Sequence, residues 1–169
     1  MDATILSCAH THTTYCDGLT PMEDMAAAAF ARGFVSLGFS SHATQSFDPP
    51  YYIPKEKENA YIADVARLRE AYAGRMRIWL GCERDLYSCA EPSKYEYFIA
   101  SSHYMPLERG YIEVDGDGGK LRRAIDGEFS GDGIAFARRY FASFALYIAA
   151  VSPTIIGHFD LVRRYAASH

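Results

Sequence analysis

Nowhere in the chain do two cysteines stand close enough to form a CxxC pair; Cys8, Cys16, Cys82 and Cys89 are scattered. Neither a zinc knuckle nor a disulfide framework is indicated, and a reducing cytoplasmic setting is expected. Positive charge is not in excess either, with 17 Lys and Arg against 21 Asp and Glu and a net charge of -4. Without a basic field, a protein that tracks a phosphate backbone over many nucleotides is not what the composition supports, and a small substrate is expected instead. The start, MDATILSCAHTH, lacks a basic segment leading into an apolar one, and no apolar run reaches the roughly 18 residues of a membrane span. Neither secretion nor insertion in a membrane is expected.

Apolar material is plentiful all the same. Of 169 residues, 49% are hydrophobic and 14% aromatic, enough for the core of one domain covering residues 1–169. Short apolar runs alternate with helix-period segments, the pattern of a parallel sheet built from βα units. Expected strands cover residues 3–8, 34–39, 77–82, 97–101 and 154–157. Expected helices follow Thr20-Pro21, with Thr20 as cap and Gly33 as stop, and fill residues 55–73 and 131–149. In the 55–73 helix, Ile62, Val65, Leu68 and Tyr72 form one apolar stripe. The polar, glycine-rich stretch between Gly110 and Gly133 reads as a long loop.

Histidine placement carries the chemistry. Five of the six histidines, His10, His12, His42, His103 and His158, fall at or just after the end of an expected strand; the sixth, His169, is terminal. Carboxyl ends of parallel strands face a common mouth in α/β barrels, so residues distant in sequence can converge there. In an extended HTH segment alternate side chains point the same way, so His10 and His12 can reach one cation. Glu83 follows its own apolar run and adds a carboxylate.

The successive segments HTHTTYCDG, FSSH, GCERDLY, EYFIASSHY and IIGHFDLVRRY resemble, in order, the motifs of the polymerase-and-histidinol-phosphatase (PHP) superfamily, with details leaning to its histidinol-phosphatase branch. The resemblance spans nearly the whole chain. It implies a distorted seven-unit β/α barrel whose mouth holds up to three divalent cations. His10, His12 and Glu83 would hold the first, Glu83 would bridge to a second held by His103 and His158, and Asp17 with His42 would hold a third. Such ligands suit zinc, iron or manganese better than magnesium alone.

The family pattern ends with an aspartate and a histidine, one residue apart, on a late strand, and this chain stops before that motif. A complete eightfold barrel takes about 250 residues, so the barrel is expected to be unfinished here. The edge strands this leaves would favour a partner subunit or second copy.

The implied reaction is hydrolysis of a small phosphate monoester, L-histidinol phosphate in histidine biosynthesis, by water that the cations activate. Arg163 or Arg164 would grip the phosphate, unless they are simply exposed cations. Asp160, Glu108 and Tyr104 are candidates for meeting the substrate's ammonium and imidazole. Asp85 reads either as an orienting carboxylate or as a solvated one.

Other motifs fail. The DGDGG stretch puts Lys120 where a calcium loop needs glycine and Asp126 where it needs glutamate, and Val114 stands where a phosphate loop needs glycine. The aromatic segments 95–98 and 140–147 carry strand and helix patterning that points to packing rather than to base stacking. Cys8 and Cys82 read as small buried residues. Two rival readings stay open: a phosphodiesterase or exonuclease, and a shortened module that binds metal without turnover.

Overall fold

The computed structural model describes residues 5–47 and 51–165. Two compact units divide the chain after Ile99.

In the first unit a parallel sheet is assembled from β1 (Leu6–Cys8), β2 (Phe34–Phe39) and β3 (Arg77–Arg84), with β4 (Tyr97–Ala100) following β3 in the strand order. The register pairs Cys8 with Leu37 and Phe39 with Leu80. Two helices make the crossovers, α1 (Met22–Ala31) and α2 (Glu58–Ala71), the second led in by a 3-10 turn, Lys55–Lys57. Tyr61, Val65 and Leu68 of α2, Met22 and Ala26 of α1, and Leu37, Phe39, Ile78 and Cys82 of the strands form one buried cluster. Spacing of three and four along α2 turns Tyr61, Val65 and Leu68 to one side, where hydrophobic burial holds the helix in place. Ile62 and Tyr72 of the expected stripe are half-buried at its margin.

Expected boundaries in this unit held within a few residues, with one correction. Thr20 does not cap α1; Pro21 occupies that position, no side-chain cap bond forms, and the Met25 amide donates to the Pro21 carbonyl at 3.1 Å. Proline supplies a fixed φ at the helix entrance without needing a partner for an amide it lacks. Gly33 ends the segment as expected, at φ 81°, in the left-handed region that glycine enters at no steric cost. Ala3, in the first expected strand, lies outside the described residues, as does His169.

In the second unit the stretch expected to be a loop is ordered. Tyr104–Pro106 (β5) pairs antiparallel with Tyr111–Glu113 (β6), and α3 (Gly118–Glu128) follows. Two forces outweigh its glycines. The Asp117 carboxylate accepts from the Lys120 amide at 2.7 Å as an N-cap, and Leu121 and Ile125, four apart, are buried with Met105, Val114 and Phe136. Helix α4 (Gly133–Val151) starts from a similar cap, the Asp132 carboxylate accepting from Ile134 and Ala135, both at 2.9 Å. Phe136, Tyr140, Phe144 and Tyr147 form its buried stripe. By length and composition α4 could also cross a membrane, yet this aromatic stripe gives it the one-sided burial of a packed helix. Strand β7 (Ile155–Ile156) follows, and the Gly157 amide donates to Ala100 at 2.9 Å.

Candidate metal centre

Backbone register delivers the first unit's polar residues to one place. Beyond the formal end of β2 its pairing with β3 resumes for one more rung: His42 bridges Glu83 in parallel, the Glu83 amide donates to Ser41 at 3.1 Å and the Ala43 amide to Glu83 at 2.8 Å. His42 and Glu83 therefore stand side by side. Past β1, the Ser40 amide donates to the Thr11 carbonyl at 3.0 Å, and the Thr11 hydroxyl donates to Gly38 at 2.7 Å. Pinning Thr11 to β2 leaves its two flanking histidines on the other side of the extended chain.

The loop after His12 closes tightly. Amides of Cys16 and Gly18 both donate to the Thr13 carbonyl, at 2.9 and 3.1 Å. A β-carbon on Gly18 would meet the Thr13 nitrogen at 2.5 Å, so only glycine fits this close approach. The fold-back carries Asp17 to His12.

These elements bring His10, His12, Asp17, His42 and Glu83 together. Glu83 Oε2 lies 3.1 Å from His10 Nε2, 3.0 Å from His12 Nε2 and 3.3 Å from His42 Nδ1. The two Nε2 atoms of His10 and His12 are themselves 3.1 Å apart. On its far side, His12 Nδ1 sits 2.8 Å from Asp17 Oδ1, and Asp17 Oδ2 is 3.8 Å from His42 Nε2. Glu83 is 1% exposed. A buried carboxylate demands positive charge close by, and three imidazole nitrogens around one of its oxygens are how a cation's ligands gather. The donor chemistry fits a divalent ion of the zinc, iron or manganese kind.

Electrostatics agree with that reading. Burial alone would lower the pKa of His12, but the hydrogen bond and charge of Glu83, with those of Asp17, outweigh it and raise the value above 6.5. Burial pushes Asp17 the opposite way to its neighbours, and the charges of His12 and His42 win, holding it below its usual range. Cys16 has a thiol raised by burial, against which the Ser41 side chain and backbone groups of Thr13, Gly18 and His42 act.

In the second unit His103 and His158 meet edge to face, with ring centroids 4.8 Å apart. Arg163 lies 3.7 Å from Asp160, and Arg164 lies 3.6 Å from Asp115; both guanidinium groups are largely exposed. Tyr104 is buried against Tyr111, and burial raises its hydroxyl pKa. Glu108 is exposed, its amide donating to Glu128 at 3.0 Å.

The surface alternative for Asp85 is corrected: at 2% exposed it is buried, accepting from the Leu86 amide at 2.7 Å. Cys82 is buried, with its thiol pushed up to about 12, whereas Cys8 is only half-buried. The sequence also gave no prominence to two residues. Tyr97 sends its hydroxyl across the sheet to donate to the Ala9 carbonyl at 2.6 Å, one residue before His10. Cys16 offers its sulfur within 4.8 Å of ligand atoms of His12 and Asp17. For Cys16 a signal existed, its place between two candidate ligands; for Tyr97 none did.

Parallel βα construction with a histidine and carboxylate cluster at its strand ends defines a metal-site protein of the barrel-forming α/β class. The PHP domain model matches residues 9–168, and the chain belongs to the PHP family. Its similarities lie in the histidinol-phosphatase branch. It is 24% identical to the histidinol-phosphatase of Bacillus subtilis over 92% of this chain and 66% of that protein. To a probable histidinol-phosphatase of Deinococcus radiodurans it is 29% identical over 57% of this chain and 41% of the other. The chain thus spans less than two thirds of the length of the curated relatives it matches. A crystal structure from Listeria monocytogenes, assigned as a histidinol phosphatase, superposes with a TM-score of 0.71 at 17% identity, covering 95% of this chain and 69% of the other. The histidinol phosphate phosphatase of Lactococcus lactis, solved with zinc, L-histidinol and phosphate, gives 0.65 at 19%, covering 94% and 59%. The fold is that of the PHP barrels.

Proposed function

We propose that this chain is a metal-dependent phosphomonoesterase of the histidinol-phosphatase type, acting on L-histidinol phosphate. The observation that carries the reading is the convergence of His10, His12 and His42 on the buried Glu83 carboxylate. His10, His12 and Glu83 would hold one cation, Asp17 with His42 another, and His103 and His158 of the second unit would serve as ligands of a further one.

Bound divalent cations would supply Lewis acidity for the phosphate and lower the pKa of water. The protein's own part is orientation. Asp17 would fix the tautomer of His12 by accepting a hydrogen bond from Nδ1–H, which leaves the Nε2 lone pair for ligation. Glu83, held by two backbone bonds to the segment that carries His42, keeps its carboxylate on the histidines rather than in solvent. Arg163 or Arg164 would grip the phosphate; their long, solvent-facing contacts to Asp160 and Asp115 hold them weakly and leave them able to swing. Asp160, Glu108 and Tyr104 remain the candidates for the cationic end of the substrate.

Elemental analysis of the purified chain, with phosphate release from histidinol phosphate and from an aryl phosphate in added manganese or zinc, tests the reading. Bound metal with selective turnover of histidinol phosphate is expected. Metal without turnover would replace the proposal by a binding role, and absence of metal under every condition would overturn the ligand set.

A further inference from the structure

His12 faces two groups of potential ligands with two different nitrogens. Nε2 points to His10 and Glu83, at 3.1 and 3.0 Å, and Nδ1 points to Asp17 at 2.8 Å. On that second side Cys16 completes a triad: the ligand atoms of His12, Cys16 and Asp17 all lie within 4.8 Å of one another. Three donors around one zinc stand about 3.3 to 3.8 Å apart when metal distances are 2.0 to 2.3 Å, so small side-chain movements would close the triad on an ion. Its three members are half-buried or exposed, whereas Glu83 in the other group is fully buried. No member of the triad is closed off from arriving ions.

A neutral imidazole has one nitrogen lone pair free for a metal, and its other nitrogen carries the proton. His12 can therefore serve the Glu83 side or the Cys16 side, but not both. We propose that His12, Cys16 and Asp17 form a second, inhibitory site for a thiophilic divalent cation such as zinc, mutually exclusive with the site on Glu83 because both use His12. On binding, the Cys16 thiol releases its proton to solvent and its sulfur joins the ion. The proton on His12 Nδ1 passes to solvent while Nε2 takes one up, so that Nδ1 joins the ion on the thiolate side, and Asp17 is withdrawn from both His12 and His42. Thiolate prefers zinc over manganese or magnesium, so the site would fill with zinc in excess and not with manganese. Binding at the triad stands on its own geometry; its inhibitory effect rests on the function proposed above.

Cobalt(II) reports the two sites differently, since only a sulfur ligand gives the thiolate-to-cobalt charge-transfer band in the near ultraviolet. Titration of the full chain is expected to produce that band, to lose it in both Cys16→Ser and Cys16→Ala, and to keep it in Cys89→Ser. Zinc should protect Cys16 of the unmodified chain from alkylation, a check that depends on no variant. Zinc added to manganese-loaded protein should restore the free-manganese EPR signal and abolish most hydrolysis, with Cys16→Ser resisting both effects. A missing band, or one that survives loss of Cys16, would overturn the site. A Cys16-dependent band without manganese release would overturn the competition, and this readout holds even if no phosphate ester is turned over.

Discussion

Glu83 Oε2 and His12 Nε2 stand 3.0 Å apart inside the first unit, with the carboxylate 1% exposed. Glu83→Gln keeps the shape and removes the charge. Metal affinity should fall at least about tenfold, or about 1.4 kcal/mol, by calorimetric titration with zinc. The metal-free variant should melt no lower than the parent, because a buried charge has been removed. Unchanged affinity would show that Glu83 is not a ligand.

Tyr97 holds the chain just ahead of His10 through its bond to Ala9. Tyr97→Phe should cost about 1 kcal/mol of stability and weaken metal binding several-fold, since the HTH segment loses an anchor. Thermal melts with and without zinc separate the two effects, and a variant with wild-type affinity would dissociate the anchor from the site.

Protons compete with the cation for His12. Its pKa is raised above 6.5 in the metal-free fold by Glu83 and Asp17, against the opposing effect of burial. A raised value means that this histidine stabilises the metal-free fold fully below pH 6.5 and ceases to do so as pH climbs through the raised value. Metal affinity runs the other way: it should decline on acidification while the pH is still above 6.5, with protons released on binding throughout that window. Zinc titrations in buffers of different ionisation enthalpy count the protons. A decline beginning only below 6.5 would contradict the raised value.

The order in the 110–133 stretch rests on Leu121 and Ile125. Leu121→Ala should destabilise by about 2 to 4 kcal/mol, measured by denaturant unfolding, whereas an exposed loop residue would tolerate the change within about 0.5 kcal/mol.

Strands β2 and β3 were legible as short apolar runs, the pattern of a parallel sheet buried on both faces, and helix α2 by the three-and-four spacing of its apolar residues. The 110–133 stretch was misread because its glycines outnumber its core residues Val114, Leu121 and Ile125, and the burial of Leu121 and Ile125 is completed by Met105 of β5 and Phe136 of α4, which lie outside the segment. For the centre, strand-end position identified His10, His12, His42 and Glu83, since parallel topology alone sends them to one edge. The partners of Asp17 needed coordinates: its approach to His12 depends on a loop folding back onto Thr13, and nothing in HTHTTYCDG states the path of that loop. Asp85 was undecidable because a carboxylate after a strand can equally be solvated or capped by the next amide.

The ring of Tyr97 passes over two strands at glycines. A β-carbon at Gly38 would meet its hydroxyl oxygen at 2.2 Å, and one at Gly81 would meet its ring at 2.2 Å. Positions 38, 81 and 97 are therefore a single lock, and evolution can change it only in concert. Among relatives of this chain, a side chain at either glycine column should be accompanied by a smaller residue at the tyrosine column, and where the tyrosine shrinks, the glycines are released from their constraint.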